Sequence, residues 1–178
     1  MNPLITPRAA EEITLSAIPE LAEEDVPPEQ ARGRILALPL VADRPLPPYD
    51  RVMMDGICCK NSDLEEHTTL AIAGDHPAGA PTPQQTPRGH CWEVMTGACL
   101  PPDCDTVIPY EQISRQDHHF TIEAGSAVGG RFIHRRASDY ETGEILVPPN
   151  TVIDSRVAAV AATVGATTLR VLQRPRVA

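Results

Sequence analysis

Prolines recur along the whole chain, 19 in 178 residues, with no tract that gathers them. That is roughly twice the usual share, and each one removes a backbone donor and fixes φ near −65°, so long helices and long central strands are both excluded over most of the length. Short strands joined by turns remain. Aromatic residues make up only 3% of the sequence, so the core has to be built from Val, Ile, Leu and Ala. A chain of this length buries about two thirds of its unfolded surface as one ordinary domain or two small ones, and needs no disulfide staples.

Thr6 followed by Pro7 reads as an N-cap and first helical residue, and Ala10, Ile13, Ala17 and Leu21 recur at helical spacing. The spacing predicts a first helix ending near Ile18 or Pro19. Ala31, Ile35, Leu36 and Leu38 predict a short second helix within 29–38, stopped by Pro39. From Pro45 to about Ser138 the helical period disappears. Runs at Thr68–Ala73, Cys91–Met95, Thr106–Ile108 and Phe120–Glu123 read as strands there, separated by turn signals such as Gly74-Asp75 and Gly129-Gly130. Asp154 or Ser155 then caps a helix carrying Val157, Val160, Ala161 and Val164, Gly165 offers a left-handed stop, and Thr167–Leu172 reads as a strand. Arg174 to Ala178 reads as the start of a further strand, and its abrupt end leads us to expect more protein beyond it. Helices flanking a β middle predict an α+β chain: a discontinuous α/β domain built from 1–44 plus 139–178, with a barrel-like β domain, 45–138, inserted.

The formal charge of −9 opposes binding to nucleic acid, where Lys and Arg must displace counterions. No apolar run reaches the roughly 20 residues of a membrane span, and residues 1–28 do not resemble a secretory signal. Five irregularly spaced cysteines, two of them adjacent, suit reduced thiols and a cytoplasmic location.

Four places concentrate chemically useful residues. Asp55 stands before Gly56 after a proline-stiffened approach; such an aspartate can hold a metal ion or orient an anion-binding loop, although spacing alone favours a plain turn. Met95-Thr96-Gly97-Ala98 runs from a strand end into a turn, where the Thr96 hydroxyl and nearby amides are suited to an oxyanion. Arg131, His134, Arg135 and Arg136, with Asp139 after them, form a basic cluster suited to phosphate or molybdate, or equally a solvated face paired with acids. His90, Cys91, Cys99 and Cys104 lack the paired spacing of structural zinc sites, so buried free thiols are favoured. Hydrolase elbows, phosphate loops and dinucleotide fingerprints are all missing from the sequence.

These same places, in this order, resemble the N-terminal region of the MoeA/gephyrin family, whose members insert molybdenum into the pterin cofactor. Ala31-Arg32-Gly33-Arg34-Ile35-Leu36-Ala37 is similar to the family's G-R-[VI]-L-A element, and Leu46–Gly56 to its L-P-x-[FY]-D-x-S-A-M-D-G signature. Met95–Pro101, Asp105–Ile108 and Glu111 resemble the family's M-T-G-A-x-[LV]-P…A-[DV]-x-V-[IV]…E stretch. Ile133–Asp139 with Gly143-Glu144 sits where the family has I-R-x-x-G-E-D…G.

The resemblance implies catalytic roles for Asp55, Thr96 and Asp139 and oxyanion or substrate contacts for Arg135, Arg136 and Glu111. It also implies magnesium ligation by Asp55 and Asp139, with molybdate and adenylylated molybdopterin as substrates. The partners it implies are a second copy in a homodimer, a pterin-binding domain in cis or in trans, and a molybdopterin adenylyltransferase. There are departures. Val52-Met53 replaces the signature's Ser-Ala, His134 the Arg of I-R, and Ala137-Ser138 the Gly-Glu before the last Asp. They leave open an alternative, a stand-alone scaffold module that keeps the fold without the chemistry.

Overall fold

The computed structural model describes residues 5–175. In chain order its elements are α1 (Pro7–Ser16), β1 (Glu23–Val26), β2 (Leu40–Val41), β3 (Arg51–Val52), β4 (Gly56–Cys59), α2 (Asn61–Leu64), β5 (Thr69–His76) and β6 (His90–Val94). They continue with β7 (Thr106–Pro109), β8 (Ile113–Gln116), β9 (His119–Ile122), β10 (Ile133–His134), β11 (Ile145–Val147), α3 (Ser155–Thr163) and β12 (Leu169–Leu172). Short strands and few helices place the chain in the α+β class that the prolines imply. Among the described residues no helix is long and apolar enough to cross a membrane.

Two compact units arise, one from both chain ends and the other from Ala42–Glu144. In the first, β1 pairs antiparallel with β12 and β2 with β11, while α3 contributes Val157 and Ala161 to a core with Leu36, Val147, Ile153, Leu169 and Val171. Both predicted caps form: Thr6 accepts the Ala9 N–H at the start of α1, and Asp154 accepts those of Arg156 and Val157 at the start of α3. Gly165, at φ +66°, ends α3 in the left-handed region.

The second helix predicted over 29–38 does not form. Only Pro28–Gln30 makes a 3-10 turn, Gly33 turns the chain at φ +75°, and Ile35 and Leu36 bridge to Val152 and Val171. Their burial comes from partners more than a hundred residues away, which local spacing cannot register. The strand expected from Arg174 is not seen at Arg174 or Pro175, and 176–178 lie outside the described residues.

The second unit is built on a curled, six-stranded sheet in the order β7-β4-β6-β5-β9-β8, antiparallel except for β5 beside β6. Alternation along β4 and β7 feeds two cores: Cys58 and its partner Val107 face one, Ile57 and its partner Ile108 the other. Buried on both faces, β4 lacks the polar alternation that marks a strand in sequence, and it comes directly after an apparent Asp-Gly turn. Gly74-Asp75 is not a turn either. It lies within β5 at a register shift between Ile72 and Gly74, and a Cβ at Gly74 would come within 3.0 Å of the Trp92 ring.

Candidate active site

Asp55 and Thr96, 41 residues apart, form one corner of the second unit. After β6 the chain turns through Thr96 and Gly97, which sits at φ +92°, and the Gly97 N–H donates to the Val52 carbonyl. Asp55 Oδ1 accepts both the Thr96 N–H and the Thr96 hydroxyl, each at 2.7 Å. These two donors, the backbone one first, hold the Asp55 carboxyl below the usual carboxylate range, so it is ionised at neutral pH. One expectation is corrected: the amide and hydroxyl of Thr96 are committed to Asp55 and are not free to bind an oxyanion. Gly56 is required by packing, because a Cβ there would fall 2.1 Å from the Ile108 carbonyl oxygen.

A second group lies along β3 and β10, which pair antiparallel with Arg51 opposite His134. Arg51 Nη2 stands 2.8 Å from His134 Nδ1, and His134 Nε2 stands 2.9 Å from Asp139 Oδ1. A guanidinium only donates, so Nδ1 must accept; the ring proton is therefore on Nε2 and is donated to Asp139. Next to this relay, Asp50 accepts from Arg135 Nη1 at 2.6 Å and from the Arg136 N–H at 2.8 Å. Burial pushes the Asp50 carboxyl up, but these two partners outweigh it and hold the group below its ordinary value. The Arg136 guanidinium makes no ion pair among the described residues.

Backbone bonds join the two groups: Val52 N–H donates to the Ala98 carbonyl and Leu100 N–H to that of Asp50. The structure thus pairs Asp55 with Thr96, Asp139 with His134, and both Arg135 and Arg136 with Asp50. Glu111, exposed in a 3-10 turn, has no side-chain bond to either group among the described residues. Asp50, the first Asp of the signature over Leu46–Gly56, and Arg51 beside it are given no role by the sequence reading. Their signal is the oppositely charged Arg135-Arg136 and Asp139 farther along, which the pairing of β3 with β10 alone brings together.

No three His, Cys, Asp or Glu side chains among the described residues come together to hold a metal ion. Asp55 and Asp139 each keep one carboxylate oxygen, Oδ2, without a hydrogen bond among those residues. The cysteines are free. Burial pushes the Cys91 thiol up to about 12, and a hydrogen bond with Cys104, then burial, raises that of Cys58, so these are inert core thiols.

Residues 5–165 match the family described as MoeA N-terminal region (domain I and II). A molybdopterin molybdenumtransferase from Synechocystis sp. is 34% identical over 176 residues, which is 98% of this chain and 45% of that protein. One of the same name from Nostoc sp. is 31% identical over 83% of this chain and 35% of its own length. The molybdopterin biosynthesis MoeA protein of Pyrococcus horikoshii OT3 superposes with a TM-score of 0.88 at 25% identity, covering 97% of this chain and 47% of that one. The chain spans less than half the length of these relatives.

Proposed function

From a chain that belongs to the MoeA family, matched over its N-terminal region, we propose the N-terminal part of a molybdopterin molybdenumtransferase. The full protein would join molybdate to adenylylated molybdopterin in the cytoplasm. It would act as a homodimer with a pterin-binding domain and receive its substrate from an adenylyltransferase. The observation that carries this is the Asp55–Thr96 corner, because it presents an ionised, rigidly held carboxylate at the point where the family motifs converge.

In this proposal Asp55 uses its uncommitted Oδ2 on the reacting groups while Thr96 fixes the carboxylate plane. An ionised Asp55 repels molybdate, so the anion goes to the basic side, where Arg136 makes no ion pair among the described residues and Arg135 lies next to it. Asp139, oriented through the His134 ring, completes the polar rim. Magnesium, carried in on the substrate's phosphate, would offset the charge of the departing nucleotide, with Asp55 and Asp139 as the carboxylates able to hold it; it commonly needs only one or two protein carboxylates.

The test is turnover of adenylylated molybdopterin by the full-length protein that carries this chain. Asp55→Ala should lower it by about 100-fold or more, as loss of a group that acts in the transition state does. Unchanged turnover in the variant would remove the role given to Asp55. A folded wild-type protein with no turnover would favour the scaffold alternative, in keeping with Val52, Met53 and Ser138 at the signature positions.

A further inference from the structure

His76 is a buried titratable side chain that neither group of the candidate site uses. It ends β5, it is 1% exposed, and its ring Nε2 lies 2.8 Å from the Cys99 carbonyl oxygen. A carbonyl only accepts, so the ring donates its Nε2–H. Burying an imidazole costs free energy unless its N–H is paired, and an apolar side chain would fill the same place without that cost. The bond to Cys99 is therefore what a histidine adds there.

The two ends of His76 hold different parts of one turn. Its backbone stands opposite Val94 in the parallel ladder of β5 with β6, two residues before Thr96. Its side chain reaches Cys99, three residues after Thr96. One residue thus spans both limbs of the turn that carries Thr96 to Asp55, a turn closed by the Ala98 N–H on the Met95 carbonyl at 3.0 Å. On one side the exit limb is fixed by β3, where Arg51 faces Cys99 and the Val52 N–H donates to the Ala98 carbonyl at 2.9 Å. Successive carbonyls of an extended chain point to opposite edges, so that of Cys99 faces away from β3 and meets the His76 ring. Pro77 confines the residue before it to extended backbone, which sets the direction from which the ring approaches.

We propose that His76 is a positioning residue of the Asp55–Thr96 corner, a clasp across the Val94–Cys99 turn that keeps the Thr96 N–H and hydroxyl aimed at Asp55 Oδ1. His76 makes no hydrogen bond to Asp55 or Thr96 among the described residues and acts through Cys99. The inference rests on the function proposed above and adds to it a residue outside the family motifs, since His76 lies between the Leu46–Gly56 signature and the Met95–Pro101 stretch. Without the clasp the exit limb keeps only its β3 side, the turn opens more often, and Asp55 loses both of its donors each time it does.

The experiment is amide hydrogen exchange on this chain, comparing His76→Leu, which has no donor, with His76→Gln, whose side-chain amide can reach the same carbonyl. In His76→Leu the Thr96 N–H is expected to exchange about tenfold faster or more, the worth of one hydrogen bond, while Ile57 and Ile108 in the sheet keep their protection. His76→Gln should return Thr96 to the parent's rate. His76→Asn, too short to reach Cys99, carries the same expectation as leucine and stands in if that variant does not fold. In the full-length protein, kcat for adenylylated molybdopterin should fall by a similar factor with KM unchanged. Unchanged exchange at Thr96, a loss shared equally by Ile57 and Ile108, no recovery in His76→Gln, or an undiminished kcat would each overturn the proposal. A parent protein without turnover would sink the proposed function alone, and exchange at Thr96 would still decide the role of His76.

Discussion

Ala137 occupies a left-handed backbone position, φ +62°, at the point where the family motif has glycine. The loop keeps its shape through the Ala137 N–H bond to the Pro47 carbonyl and that of Asp139 to Leu46. A Cβ in that region costs about 1–2 kcal/mol. Ala137→Gly relieves this and loosens the unfolded chain, so stability in urea should rise by about 0.5–1 kcal/mol. Asp50 gives a prediction in pH. Its folded pKa is depressed, so its stabilising contribution is complete above the unfolded value, about 3.9, and is lost as pH falls through the lower folded value. Asp50→Asn should therefore start from lower stability at neutral pH and lose less of it on acidification, as denaturant midpoints across that range would show. Which acids are paired is not legible in the sequence: Asp55 meets Thr96 across 41 positions and Arg51 meets His134 across 83.

Elements are legible where their determinants are local. Thr6-Pro7 and Asp154 mark helix starts by satisfying orphan N–H groups within three residues, and both helices begin there. The helix expected within 29–38 is absent because Ala31 and Leu36 are buried by tertiary contact. No sequence signal marks β4, since burial on both faces erases alternation and its opening glycine imitates a turn. That glycine supports a direct test. Gly56→Ala would drive a Cβ against the Ile108 carbonyl and the Pro109 Cα at the β4–β7 seam, where backbone cannot yield cheaply. Destabilisation of about 3 kcal/mol or more is expected from denaturant unfolding, with a shift of the β-sheet circular dichroism midpoint.

On the scale of the whole molecule, the α+β class and the discontinuous layout come from proline spacing and from helices at both ends around a β middle. The family is legible from motif order, and the match over residues 5–165 establishes it. The chemistry is less legible, because it depends on strand pairing: Asp50 and Arg51 meet Arg135 and His134 only once β3 pairs with β10. The central claim is that Asp55 and Thr96 act as one unit in molybdenum insertion. It is tested most directly by a double-mutant cycle on turnover of adenylylated molybdopterin by the full-length protein, with Asp55→Ala, Thr96→Val and both together. Groups that work as a unit lose activity non-additively, so each single variant should fall about 100-fold and the double variant no further. Losses that multiply in the double variant, or single variants as active as the parent, would contradict it.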